Sequence, residues 1–358
     1  MPPPEMDLGQ KVEFLSDARA YEYATTRVEA RETHMSWVFM TDRRAYKLKK
    51  PVKYPFLDFS TLARRRFFCG EELRLNRRLA TQTYLGIVPL RCDRYGALSL
   101  GNDPRRGRVV DWLVEMRRLP DEDMLDTRIA DGRLRRDDVI ALGDRLAEFY
   151  AACPPETADG ELYLRHLGEE QAINRAILMR PDFDLADLAA EPLDVVDAAL
   201  AELTPSIQQR VGRGLIVEGH GDLRPEHVCL SEPLQIIDCL EFNRSMRIID
   251  PYDELNYLGL ECDMLGAGWI RPLLLERVSR RLGSQPDPRL QSFYWAFRAL
   301  LRARLCIVHL LEPPVRDPDK WKPLARRYVA AAQRECRNLG LSPPSPAGPQ
   351  AAAAPRDA

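Results

Sequence analysis

Three short stretches of the sequence carry residues able to do chemistry together. The first is His220-Gly-Asp-Leu-Arg-Pro-Glu-His-Val228, a polar loop after the apolar run 215–219. The second is Asp238, directly after the apolar run 234–237. The third is Ala45-Tyr-Lys-Leu-Lys-Lys-Pro-Val-Lys53, which holds four of only seven lysines, while the other 45 of the 52 basic residues are arginine. Lysine is a compact point charge on a flexible stem, suited to a phosphate. If runs 215–219 and 234–237 pair as a hairpin, Asp222 and Asp238 converge at one mouth. Two convergent carboxylates with a distant lysine make a metal–nucleotide kit: one carboxylate holds Mg²⁺, one takes a proton, the lysine grips phosphate. Each part also has a plainer reading, as a turn-forming Asp or a solvated basic strand end.

Other elements must position these groups. Trp37-Val-Phe-Met and Ala45-Tyr-Lys-Leu-Lys read as two strands of a hairpin over 36–49, with Thr41-Asp-Arg-Arg as the turn. Alternation puts Tyr46 and Leu48 on one face, Lys47 and Lys49 on the other. Residues 60–80 read as a helix capped by Ser60 or Thr61. On it, Glu72 shares a stripe with Phe68, Cys69, Leu75, Asn76 and Leu79. A carboxylate buried there needs a cation, and the lysine strand offers one; a shallow stripe would let Glu72 reach water instead. Residues 109–119 read as a long strand ended by Pro120. Helices follow at about 136–151, 161–180 and 290–311. The shift from β-rich to mostly helical places a boundary near Pro120, giving a unit at 11–118 and another at 119–340.

Composition narrows the class. The chain has 358 residues, 45% hydrophobic and 30% charged, with a net charge of -2. That is globular composition and gives no electrostatic reason for nucleic acid or an anionic membrane. No apolar run approaches the roughly 18–20 residues that span a bilayer. No basic-then-apolar leader opens the sequence, so a cytoplasmic location is expected. The eight cysteines form no CxxC pair and read as reduced thiols. Residues 1–10 and the Pro/Ala-rich tail 341–358 read as weakly structured and disordered, respectively.

The loop His220–Val228, followed by Ile236-Ile-Asp-Cys-Leu-Glu-Phe242, resembles the catalytic and metal-binding motifs of the aminoglycoside phosphotransferase-like family. The resemblance implies an α+β, bilobal protein-kinase-like fold with a β-rich N-lobe and a mostly helical C-lobe. Ala45-Tyr-Lys47 resembles the nucleotide-lysine strand, and Glu72 the helix glutamate that pairs with it. Val114-Glu-Met-Arg-Arg-Leu-Pro120 resembles the adenine-docking hinge, with Glu115, Met116 and Arg117 against the base. Asp250-Pro-Tyr-Asp-Glu-Leu255 resembles a structural Asp-Pro segment. More narrowly, Glu32-Thr-His-Met-Ser-Trp-Val-Phe39 and Lys47-Leu-Lys-Lys-Pro-Val52 are similar to an uncharacterised bacterial subgroup. Some of its members carry an added P-loop kinase domain; this chain has no GxxxxGK[ST] stretch.

The resemblance implies that Asp222 takes the acceptor proton, that Asp238 binds Mg²⁺, and that Lys47 holds the phosphates with Lys49 in reserve. It also implies that His220 braces the loop. Two departures stand out. His227 replaces the Asn that serves as second metal ligand, which makes Mn²⁺ a fitting alternative to Mg²⁺. Glu32-Thr-His-Met-Ser36 stands where a glycine-rich loop is expected, so the hydroxyls of Thr33 and Ser36 would have to help cover the phosphates. In the Asp-Pro segment Glu254 takes the family's second Asp position, with Asp253 one residue off. The implied function is transfer of the γ-phosphoryl group of ATP, or another nucleoside triphosphate, to a hydroxyl of a small molecule. The acceptor pocket would be lined by Glu241, by the 254–263 helix with Glu261 and Asp263, and by the 290–311 helix. The rival readings are a regulatory pseudokinase and a transferase of another nucleotide moiety. A protein partner is left open, and the pseudokinase reading would require one.

Overall fold

The computed structural model describes residues 6–156, 160–311 and 317–340. The tail 341–358 lies outside them. By packing, the chain divides into two compact units, Met1–Thr157 with Gly214–Gln285, and Ala158–Arg213 with Pro286–Ala358.

The first unit opens with α1 (Leu8–Ser16). The Asp7 side chain accepts from the Gln10 amide, and the Gln10 side chain accepts from the Asp7 amide. This reciprocal cap starts ordered structure inside the stretch 1–10 that composition marks as loose. Next come β1 (Glu29–Glu32), β2 (Ser36–Met40) and β3 (Arg44–Lys49), an antiparallel meander. A small hairpin of β4 (Lys53–Tyr54) and β5 (Leu57–Asp58) leads to α2 (Leu62–Asn76). The Thr61 hydroxyl caps α2 by accepting from the Arg64 amide at 3.2 Å. Then β6 (Tyr84–Cys92), β7 (Leu98–Leu100) and β8 (Arg108–Arg117) complete a six-stranded sheet of order β1-β2-β3-β8-β6-β7.

Period-2 alternation sorts the sheet's two faces. On one, Tyr46, Leu48, Phe39 and Leu113 pack with Leu15 of α1 and with Tyr21. On the other, Val114 and Met116 pack with Cys69 of α2, Ala80 and Tyr84. Burying each large apolar side chain contributes roughly 1.5–3 kcal/mol. Asp111 of β8 is buried between Lys11 of α1 at 2.8 Å and Arg65 of α2 at 2.7 Å, which ties both helices to the sheet.

The chain continues through α3 (Leu125–Ala130) and α4 (Arg136–Ala152). It then leaves for the second unit in α5 (Gly160–Leu178) and α6 (Ala186–Gly212), and returns at β9 (Val217–Glu218). There follow β10 (Val228–Cys229), β11 (Gln235–Ile236), β12 (Ile248–Ile249), α7 (Pro251–Met264) and α8 (Ile270–Leu282). The second unit closes with α9 (Pro288–Val308) and α10 (Pro318–Leu339). Within it, Arg304 of α9 meets Glu170 of α5 at 2.6 Å. These limits differ from a cut at 118/119. The sheet and the segment around Asp238 are tied by ion pairs, whereas α5, α6, α9 and α10 bury their apolar faces on one another.

One pairing differs from the sequence reading. The runs around 217 and 235 do not pair with each other. β9 pairs with β12, and β10 with β11. Each run makes only a two-residue strand, too short for alternation to specify its partner. Among the described residues no helix is long and apolar enough to cross a membrane. Seven of the eight cysteines are buried and Cys153 is partly so, all as free thiols.

Candidate active site

The lysine strand, α2 and the segment after β11 meet in one charge network. Lys47 Nζ lies 3.0 Å from Glu72 Oε1 and 2.6 Å from Asp238 Oδ1. Lys49 Nζ lies 2.6 Å from Glu72 Oε2 and also pairs with Glu241. Two ammonium groups thus share three carboxylates. The two lysines differ in access: the Lys47 side chain is 14% exposed and that of Lys49 is 0%. Burial disfavours the Lys47 ammonium, but Asp238, Glu72 and Glu241 outweigh it and hold its pKa well above the ordinary value. Burial likewise pushes Glu72 up, and Lys47 and Lys49 more than reverse it, leaving the carboxyl below its usual range. Glu241, expected at an acceptor pocket, is instead a buried partner of Lys49.

Asp238 adopts a left-handed backbone conformation, φ 61°. Asp tolerates this better than most residues, and such strain clusters at functional sites. Neighbouring groups hold it there. The Asp238 amide donates to the Tyr84 hydroxyl at 3.1 Å, and the Cys239 amide to Asn76 Oδ1 at 2.8 Å. The Asp238 side chain remains 43% exposed. Its desolvation raises the carboxyl pKa, but the Lys47 ammonium, with Arg224 beyond it, depresses it far below the carboxylate range.

The loop from His220 to His227 is held from beneath. Glu254 of α7 is buried and accepts the His220 and Gly221 amides at 2.9 and 2.5 Å. It also accepts the Tyr150 hydroxyl at 2.7 Å. Gly221 has φ +86°, and an added Cβ would lie 2.9 Å from Arg247 Cβ. His220 is buried with both ring nitrogens engaged. Nε2 meets the Ile237 carbonyl at 2.8 Å, and Nδ1 accepts the Asp222 amide at 3.3 Å. Burial lowers its pKa, which favours the neutral ring.

Asp222 and Asp238 converge through His227. His227 Nδ1 meets the Asp222 backbone carbonyl at 2.8 Å, and Nε2 lies 3.6 Å from Asp238 Oδ2. A carbonyl only accepts, so Nδ1 carries the proton and Nε2 keeps its lone pair. Asp222 Oδ1 accepts from the Tyr257 hydroxyl at 3.2 Å and faces Arg224 Nε at 3.0 Å. Among the described residues, no group of three or more His, Cys, Asp or Glu forms a closed metal cage. One carboxylate and one imidazole fit a cation that takes its other ligands from phosphate and water.

The remaining expected site residues fall in three places. Met116 faces the Lys47 side, packed by Val114 and Tyr84. Glu115 lies on the opposite face, its carboxylate accepting from the Tyr46 hydroxyl at 3.3 Å. Glu115, Met116 and Arg117 all belong to β8 and do not follow it; the Arg117 amide donates to the Thr83 carbonyl at 2.8 Å. Thr33 and Ser36 close the β1–β2 turn on each other. The Thr33 hydroxyl accepts from the Ser36 amide at 2.9 Å and donates to the Ser36 carbonyl at 3.0 Å. A row of rings runs from this turn: His34 on Tyr54 at 5.3 Å, Tyr54 on Phe56 at 5.7 Å, Phe56 against Phe242 at 5.9 Å. Glu261 is largely buried in α7 and Asp263 half-buried near its end. The sequence reading placed Asn76 on the Glu72 stripe but gave it no role. It also missed Tyr257 and Arg224, which flank Asp222; the place of Arg224 inside the motif was the available signal.

The sheet, the lysine–glutamate pair and the braced loop define a protein-kinase-like fold of the aminoglycoside phosphotransferase type. Comparison with known proteins agrees. A choline kinase from Cryptosporidium parvum superposes with a TM-score of 0.52 at 11% identity, covering 94% of this chain and 96% of that one. A choline/ethanolamine kinase family protein from Mesorhizobium loti gives 0.51 at 15% identity, again over 94% and 96%. Aminoglycoside phosphotransferase APH(4)-Ia, in a ternary complex with AMP-PNP and hygromycin B, gives 0.50 at 13% identity, over 91% and 97%. No protein-family model matches the chain. In sequence, the uncharacterised proteins Rv2004c of Mycobacterium tuberculosis and Mb2027c of Mycobacterium bovis are each 30% identical over 316 residues, 86% of this chain. The chain spans 59% of the length of these curated relatives.

Proposed function

We propose that the chain is a phosphotransferase that moves the γ-phosphoryl group of ATP, or of another nucleoside triphosphate, to a hydroxyl of a small molecule. The observation that carries this is Lys47, joined to Glu72 at 3.0 Å and to Asp238 at 2.6 Å. It couples the phosphate cation to the carboxylate suited to the metal. The neighbours of the same fold support it, being small-molecule kinases, one solved with AMP-PNP and hygromycin B.

In this reading Lys47 holds the nucleotide phosphates, and Met116 with the residues after it lies against the base. Asp238 and His227 would hold Mg²⁺ or Mn²⁺, which would supply charge neutralisation at the phosphates. Tyr257 and Arg224 engage Asp222 Oδ1. Asp222 orients the acceptor hydroxyl and takes its proton. The acceptor oxygen bonds to the γ-phosphorus. The bond from that phosphorus to the β,γ-bridging oxygen breaks, and its electron pair leaves with the nucleoside diphosphate. Most of the rate comes from positioning and charge, so a residual rate without the base is expected.

Incubation with γ-labelled ATP and a library of hydroxyl compounds tests the reading. Asp222→Asn should keep Mg·ATP binding and lose transfer, whereas Asp238→Asn should also weaken metal-dependent binding. Equal turnover in Asp222→Asn and wild type would remove Asp222 as the base. The second reading, a nucleotide-binding pseudokinase, is favoured by His227 at the second ligand position and by the hydroxyl-closed β1–β2 turn. Nucleotide binding with no transfer to any acceptor would select it.

A further inference from the structure

The charge network holds one lysine more than a grip on phosphate needs. Lys47 meets Glu72 and Asp238 and keeps an opening to solvent. Lys49, two residues further along β3, keeps none: its side chain is 0% exposed, and its ammonium lies 4.9 Å from the centre of the buried Phe59 ring. A lysine sealed in this way does not reach a nucleotide, and taking it out of water is costly. Glu72 alone does not account for it, because Lys47 already pairs with that carboxylate. What Lys49 adds is Glu241, buried with it and three residues after Asp238. Lys49 therefore ties the segment that carries Asp238 to β3 and, through Glu72 at 2.6 Å, to α2. Three residues span at most about 11 Å, so the tie acts close to Asp238. The other end of the segment is held by α2 and the residues after it: the Cys239 amide donates to Asn76 Oδ1 at 2.8 Å, and Arg78 Nη2 donates to Cys239 Sγ at 3.4 Å. Asp238 itself has φ 61°, a conformation that persists in a non-glycine residue only where the surroundings over-determine it.

From this geometry we infer that Lys49 and Glu241 are positioning residues for the metal site: their buried pair holds the Asp238 carboxylate where it meets the cation that accompanies the nucleotide. The inference rests on the phosphotransferase reading above, in which Asp238 is a metal ligand. It takes Lys49 out of the phosphate-binding set, where the sequence kept it in reserve. Partners that fix a ligand's orientation before the metal arrives change metal affinity although they never touch the ion. Here the partner acts through the backbone, since Glu241 and Asp238 share one short stretch of chain. Its anchor is sealed from water, where salt screens an ion pair far less than at the surface. A merely structural pair would instead stabilise the fold and leave the contribution of the metal unchanged.

Binding separates the two without any knowledge of the acceptor. Titration calorimetry with AMP-PNP, once in Mg²⁺ and once in EDTA, gives the gain in affinity that the metal brings. In Glu241→Gln that gain should fall about tenfold, with affinity in EDTA changed less than about threefold because Lys47 and Glu72 stay in place. Lys49→Met/Glu241→Met removes both charges at once, which spares stability because Glu72 keeps Lys47, and it should lose the same gain. Either variant carries the test if the other does not fold. In Asp238→Asn the gain is already lost, and adding Glu241→Gln should take nothing further. An unchanged gain in the folded variants, or a further loss in the Asp238→Asn background, overturns the inference and leaves the phosphotransferase reading standing. A wild-type protein that binds AMP-PNP equally in Mg²⁺ and in EDTA overturns the metal role of Asp238 as well. One that binds it in neither overturns the nucleotide reading too.

Discussion

Lys47 and Lys49 stand two residues apart on one face of β3, yet their surroundings assign them different work. Lys49 is enclosed with Glu72 and Glu241, so Lys49→Met would take a buried cation from Glu241 and leave Glu72 with Lys47 alone. We expect it to lower stability by about 3–5 kcal/mol in urea titration, the usual effect of removing one partner from a buried ion pair. Lys47→Met should lose less stability and more nucleotide affinity, because Lys47 keeps an opening to solvent. Sequence alternation put both lysines on one face of the strand but did not tell which was sealed in. That depends on Glu241, which lies 192 residues along the chain from Lys49. His220 offers a second test at this scale. Burial depresses its pKa from the ordinary 6.5. As pH falls below 6.5, the unfolded chain takes up a proton that the folded ring refuses, so stability present above that pH declines. Melting temperature should therefore drop between pH 7 and 5.5, and less steeply in His220→Asn. An equal slope in both would remove His220 from the account.

At the scale of elements, the loop between β9 and β10 depends on one glycine and one glutamate more than on its own strands. Gly221→Ala would force a side chain into a left-handed backbone and against Arg247. The backbone effect alone is about 1–2 kcal/mol, and the contact adds to it. Thermal unfolding should show the loss, and a variant as stable as wild type would mean that the loop is free to move away. The order of motifs named the residues of this loop and marked Glu254 by position, but not that Glu254 accepts the loop's amides. It did not give the pairing, because Val217 finds Ile249 and not the strand next in sequence. The β1–β2 turn was legible as lacking glycines. Its closure by Thr33 and Ser36 and its ring row to Phe242 were not, since Tyr54 and Phe56 belong to a hairpin that alternation does not announce.

For the whole molecule, the change from β-rich to helical sequence near Pro120 is real, but compactness follows packing. Ion pairs from Lys47 and Lys49 bind the sheet to Asp238 and Glu241, while the helices of the second unit pack among themselves. A ligand that binds only the folded state stabilises it by about 2.7 kcal/mol at 100 times its dissociation constant. Mg·ATP at that excess should raise the melting temperature. A flat melting curve together with a flat calorimetric titration would count against nucleotide binding altogether.

The enclosed thiols give the chain its own chemical clock. Burial pushes Cys69, Cys239 and Cys336 up to about 12, so in the native state almost none is in the reactive thiolate form. Alkylation must then wait for the surrounding structure to open, and its rate reads the free energy of that opening. Cys69, Cys229 and Cys239 belong to the first unit, Cys306 and Cys336 to the second. Mass spectrometry after timed alkylation would thus follow each unit by its own residues. Within a unit the thiols should react as a set, and Mg·ATP should slow the set that surrounds Asp238.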